Sequence, residues 1–303
     1  VHHRRIGSTD LVVSEVGLPL APLVAGPGAR SDEDVADLLG AALDLGVGYF
    51  AATDSDDDGR AEDLLGAAVR GHRDEVTVAT TFGYDTTPRP WDREPTAPRH
   101  DWSAEFAGRA LDRSLRRLRL EPVDLWLLHH PGMDAVASDE LFEFLDQQVD
   151  KGKIRCYGVA LGPGPGWGDE GAAALAERHV AAVETVYNVA DQDPGRELAG
   201  LAGEHGAGLV VREPLAPRLA AAARERLGFL ERDRDQTLDQ ALLRFALAAP
   251  AVATVLPVPR DRHALAELAG TADLAPPTAE DLDRIAELHE AAFGVGIGQG
   301  GRP

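Results

Sequence analysis

Eight short apolar runs recur along the 303-residue chain, and that alternation limits its fold more than any other feature. They are SEVGLPL (14–20), GYFAAT (48–53), EVTVATTF (75–82), VDLWLLH (123–129), IRCYGVALG (154–162), AAVETVYN (181–188), GLVVREP (208–214) and TVLPVP (254–259). Between them lie segments such as 31–46 and 101–120, where apolar residues return at helical spacing behind a Ser or Asp cap. Strand and helix alternating eight times predict a parallel sheet closed into a single (β/α)8 TIM barrel, an α/β fold. One domain is expected over residues 1–293, with no internal linker. The Gly-rich end, 294–303, reads as a loose tail or flap.

Barrels of this kind carry their active sites at the C-terminal ends of the strands. The candidate residues are therefore those that end each run: 53–58, 81–84, 129–130, 160–162, 184–188, 212–215 and 256–260. The chain's only lysines, Lys151 and Lys153, precede a strand and belong to the opposite face. A mechanism that needs a lysine at the mouth is excluded.

Composition narrows the partners. The net charge of −21 disfavours nucleic acid, whose phosphates are bound by displacing counterions with Lys and Arg. It also disfavours anionic membrane surfaces. The lone cysteine, Cys156, permits no intramolecular disulfide and no cysteine-based metal site, and reads as a small core residue. Neither a signal-peptide core nor an apolar run of membrane-spanning length is evident, so a cytoplasmic protein is expected. Asp54-x-Asp56-x-Asp58-Gly59 matches the start of a calcium loop. The twelfth position, however, is Leu65 where a bidentate Glu is needed, so no calcium site is expected. A transition metal on His129 and Asp56 lacks a nameable third ligand, and no metal is expected.

Several blocks in order resemble the aldo-keto reductases over nearly the full length: RRIGSTDLVVSEVGL, GRAEDLLG, VDLWLLHHP, DKGKIRCYGVA and TAEDLDRIAEL. The resemblance implies a carbonyl-reducing barrel that uses NADPH. Its acid would be a tyrosine, tuned by a lysine–aspartate pair beside an orienting histidine. In this sequence the aspartate position is Ala51, the tyrosine position Asp56 and the lysine position Thr81; His129 alone matches. The positions that the resemblance assigns to the nicotinamide amide are Ala160-Leu161 and Glu184, and the ring-stacking position is Arg212. Glu213 stands where a pyrophosphate is implied, at ~4 kcal/mol of repulsion for close charges at a surface-like dielectric. Arg260 and Glu267 are the remnant positions that could serve a nucleotide.

From these departures the expected function is non-redox chemistry with no cofactor, NADPH binding being weak or absent. Asp56 and His129 form the expected acid–base pair of an isomerase, lyase, dehydratase or cyclase acting on a small organic substrate. Substrate-binding candidates are Tyr84, Trp91, His130, Trp167, Glu184, Tyr187, Arg212 and Glu213. Arg212 suits a substrate carboxylate or an ion pair with Glu184, Glu213 or Asp56. As neighbours on a strand, His129 and His130 are expected to point to opposite sides. The alternatives are a catalytically inactive pseudoenzyme that binds a protein partner, and an atypical NAD(P)H-dependent oxidoreductase.

Overall fold

The computed structural model describes residues 1–26, 28–87, 99–163, 166–231 and 235–291. Eight strands form one parallel sheet: β1 (Leu18–Pro19), β2 (Tyr49–Ala51), β3 (Thr77–Phe82), β4 (Val123–His129), β5 (Ile154–Ala160), β6 (Ala182–Val186), β7 (Gly208–Arg212) and β8 (Val252–Leu256). Each pairs with its neighbours in chain order. The ring closes where Val16 bridges Val255, with Gly17 N donating to Val255 O at 2.9 Å and Val255 N to Glu15 O at 2.9 Å. The expected (β/α)8 barrel is the observed fold.

Helices follow every strand: α1 (Asp32–Asp44), α2 (Arg60–Ala68), α3 (Ala104–Leu118), α4 (Asp139–Asp150), α5 (Gly168–Arg178), α6 (Gly195–His205), α7 (Leu238–Leu247) and α8 (Arg262–Ala269), with α9 (Ala279–Glu290) after them. Side chains cap α1, α3, α4, α7, α8 and α9, each accepting from a backbone N–H that the helix leaves unpaired, whereas α2, α5 and α6 start without one. Ser31 accepts from Asp34 N, Ser103 from Phe106 N and Asp261 from Ala264 N.

Alternation along the strands sorts side chains between two cores. Phe50, Val78, Phe82, Trp126 and Leu128 face the helices, with Phe82 stacked on Trp126 at 3.8 Å. Tyr49, Ala79, Leu125, Leu127, Ala182 and Val210 face inward. There they meet Ile6, Leu11 and Val13, which an antiparallel hairpin (His3–Arg5 with Val12–Ser14) inserts into the barrel. The run at 14–20 is therefore divided: its start belongs to this hairpin and its end to β1. Lys153 Nζ pairs with Asp112 Oδ1 at 2.7 Å, in the turn that precedes β5 and so away from the strand ends that form the mouth. No helix among the described residues is long and apolar enough to cross a membrane. The tail at 294–303 lies outside the described residues.

Candidate active site

The strand ends surround a cavity of about 560 Å³ at the mouth of the barrel. Its wall includes Ala51, Asp56, Thr81 and His129, and further round Glu184, Arg212 and Glu213. Tyr84 and His130 also line it. Much of the rest is apolar: Ala79, Leu127, Leu215, Leu256 and several prolines. Nine positions singled out in the sequence thus meet in one volume, because the C-terminal ends of the barrel strands converge on it.

The acids of DSDDDG do not act as a cluster. Asp54 is buried, and burial together with the nearby Glu62 carboxyl pushes its pKa up to about 8. Asp56 accepts a hydrogen bond from Thr53 Oγ1 at 2.6 Å. Asp57 pairs with Arg60 at 3.4 Å and Asp58 with Arg117 at 3.1 Å. Asp57 and Asp58 both adopt left-handed backbone, φ 45° and 53°, in the tight turn that leads into α2. Among the described residues, no group of three or more His, Cys, Asp or Glu could hold a metal ion.

His129 ends β4, and its Nδ1 lies 3.3 Å from Thr81 Oγ1. Burial, then the adjacent His130 and Arg212, hold its pKa well below the ordinary value, so the imidazole is neutral. Asp56 and His129 share no hydrogen bond among the described residues; each is held by a threonine instead. His130 does not point away from the cavity. Its φ of 56° turns the chain off the strand, and the two imidazoles lie 4.3 Å apart on one wall. Burial pushes His130 down to about 3, with Arg212 and His100 adding to the effect.

Tyr84 stands in a short ribbon in which Tyr84–Asp85 pairs antiparallel with Arg99–His100. Its hydroxyl is 2.8 Å from His130 Nδ1, its ring 4.2 Å from that of His100 and its edge 4.9 Å from that of His129. Burial, with the Asp56 charge, raises its pKa. Gly83 makes this placement: its φ is 135°, and a Cβ there would fall 2.3 Å from Trp102. His100, whose Nε2 lies 3.1 Å from His129 O, was not singled out by the sequence, because nothing in the long loop after β3 marks the register of the ribbon.

Of the other candidates, Trp167 lies behind His130, 6.1 Å ring to ring, and does not line the cavity. Tyr187 is buried against Phe245 at 5.5 Å, also outside the cavity lining. Trp91 lies outside the described residues. Arg260 is exposed and sits 3.7 Å from Asp261, while Glu267 accepts from Thr237 Oγ1 at 2.7 Å.

The donor set at the deep end suits a nicotinamide carboxamide. Arg212 donates through Nη2 to Leu161 O. Its Nε lies 3.3 Å from Glu184 Oε1, without hydrogen-bond geometry, and is buried with no other partner among the described residues. Burial raises the Glu184 pKa against the opposing pull of Arg212. Glu184 presents acceptor oxygens and Arg212 N–H donors, the two kinds of partner that a carboxamide needs. Glu213 is 3.3 Å from Arg218, which offsets the charge expected to repel a pyrophosphate.

A parallel β/α barrel with a largely apolar pocket at the C-terminal mouth defines the class of the protein. The chain belongs to the aldo/keto reductase family, whose profile matches residues 21–290. It is similar to the uncharacterized oxidoreductase YqkF of Bacillus subtilis, 27% identical over 277 residues, covering 84% of this chain and 85% of that one. It is similar in structure to an aldo-keto reductase of Bacillus halodurans solved in its holo form, with a TM-score of 0.80 and 26% identity over 94% of this chain and 95% of the other. An aldo/keto reductase of Klebsiella pneumoniae in complex with NADP and acetate shares the fold, with a TM-score of 0.75 and 23% identity over 95% of each chain.

These findings correct the expectation of non-redox, cofactor-independent chemistry and of a pseudo-oxidoreductase. The family is one of reductases, YqkF is named an oxidoreductase, and the Bacillus halodurans neighbour was solved in a holo form. The physical reason is that replacing residues at the amide and pyrophosphate positions changed the donors without emptying the site. Glu184 and Arg212 still offer partners to an amide, and Arg218 answers Glu213.

Proposed function

We propose that this chain is an NAD(P)H-dependent oxidoreductase that interconverts a carbonyl and an alcohol on a small, largely apolar compound, in the cytoplasm. The observation that carries the reading is the barrel-mouth cavity, apolar for much of its wall but with neutral histidines and the Glu184–Arg212 pair facing one volume. Glu184 and Arg212 would hold the carboxamide, and Arg260, two residues beyond the cavity-lining Val258, would meet a phosphate. A bound nicotinamide supplies or accepts the hydride. Neutral His129, anchored by Thr81, suits hydrogen bonding to a carbonyl oxygen, and residues 213–215 and 217 line one side of the cavity.

Titration of NADPH and NADH by fluorescence tests the reading, followed by cofactor oxidation with a panel of small aldehydes and ketones. Saturable binding of either nucleotide with turnover of at least one carbonyl is expected. Absence of binding at millimolar nucleotide would refute it.

A further inference from the structure

We propose that Tyr84 is the proton donor of this site and that His130 aims its hydroxyl at the substrate. The inference rests on the oxidoreductase reading above. Reducing a carbonyl needs an acid at the oxygen, and the residue at the family's tyrosine position cannot be a phenol because it is Asp56. The Asp56 Oδ2 is already occupied by Thr53, and the Thr81 hydroxyl is engaged with His129. Among the described residues that line the cavity, Tyr84 is the only phenol, and a phenol is far more acidic than the serine and threonine hydroxyls beside it.

The tautomer of His130 decides whether the Tyr84 proton is free. The Tyr84 hydroxyl and His130 Nδ1 are 2.8 Å apart, so one of them donates to the other. His130 Nε2 is buried with no partner among the described residues. If the ring proton sat on Nε2, a buried N–H would be orphaned; if it sits on Nδ1, only an acceptor lone pair is. Orphaned buried donors are the rarer of the two. His130 therefore carries its proton on Nδ1 and donates to Tyr84 Oη, so the phenolic O–H is not used in that bond. His130 also stays neutral across the working range, so the polarity of this bond does not reverse with pH. The groups facing Tyr84 are Asp56, His100, His129 and His130.

In the reducing direction the C=O π bond breaks as the carbon takes up a hydride from the reduced nicotinamide and the oxygen takes up the Tyr84 proton, giving the alcohol. The Tyr84 phenolate is held by the hydrogen bond that His130 Nδ1–H donates, and one proton from solvent, which the half-buried side chain can meet, restores the phenol. Oxidation runs the same transfers backward.

The test uses the full chain as wild type, Tyr84→Phe and His130→Ala. Tyr84→Phe should bind NADPH within about threefold of wild type and lose about a hundredfold or more in kcat. In an ultraviolet phenolate titration, the transition missing from Tyr84→Phe should move to higher pH in His130→Ala, because a donor to the phenolate has been removed. Imidazole nitrogen NMR of the wild type should show His130 protonated on Nδ1, a readout that needs no variant to fold. Wild-type turnover retained within threefold in Tyr84→Phe overturns the assignment, as does a downward shift in His130→Ala or a proton on Nε2. A wild type that neither binds NADPH nor reduces any carbonyl overturns the oxidoreductase reading itself and takes the inference with it.

Discussion

Within one turn, the four acids of DSDDDG divide three kinds of work: Asp54 is buried, Asp56 lines the cavity, and Asp57 and Asp58 pair with arginines. Asp54 is the most consequential for stability. Its pKa rises from 3.8 to about 8, so the folded chain holds a proton that the unfolded chain gives up across that window. Glu62 is shifted in the same direction, by its burial. Stability is therefore lost as pH rises from about 4 to about 8. Asp54→Asn should remove part of that loss, raising stability at pH 8 by on the order of a few kcal/mol and changing little near pH 4, as measured by denaturant melts. A variant equally pH-dependent would show that Asp54 is solvated. Asp56 acts on its neighbour instead. Its charge disfavours the Tyr84 phenolate, so Asp56→Asn should move the Tyr84 ionisation to lower pH while leaving NADPH affinity within about threefold. At the deep end Glu184→Gln should keep nucleotide affinity within about threefold, and Glu184→Ala should weaken it about tenfold, by calorimetry. Equal losses in both would mean that the Glu184 charge, not its hydrogen bonding, is used.

At the level of elements, the turn after β3 sets the site. Gly83 holds a φ of 135° against the Trp102 ring, and the ribbon that follows carries Tyr84 back over the cavity. Gly83→Ala should push that indole aside, change its fluorescence and lower kcat about tenfold or more, with the barrel still folded by circular dichroism. Unchanged kcat would detach Tyr84 from this turn. The same element shows where sequence reasoning stopped. The ends of the apolar runs located Thr81, His129, Glu184 and Arg212, and the register of the family resemblance added Ala51. Strand periodicity could not give the side of His130, which a single left-handed residue decides. Nor could it pair Tyr84 with His100, since antiparallel register in a two-residue ribbon leaves no apolar pattern. Reading the substituted positions as lost function failed for a related reason. Residue identity at a register position says what left, whereas the replacement's partners, such as Arg212 for Glu184, depend on the opposite wall.

Across the whole molecule the net charge of −21 bears on both folding and binding. Self-repulsion is screened by salt, so the melting temperature should rise between very low ionic strength and about 0.15 M. NADPH is itself an anion, so its association rate by stopped flow should also rise with salt over that range. A rate that falls would point to a local cationic approach around Arg260 that outweighs the overall field.

The hairpin that carries Ile6, Leu11 and Val13 into the barrel has one more effect. It stoppers the end opposite the mouth, where Ser8 N donates to Gly206 O at 2.8 Å just before β7 begins, so that among the described residues the barrel interior is filled from below. A nucleotide and a carbonyl bound as proposed would share that mouth, and the deeper of the two would have to arrive first and depart last.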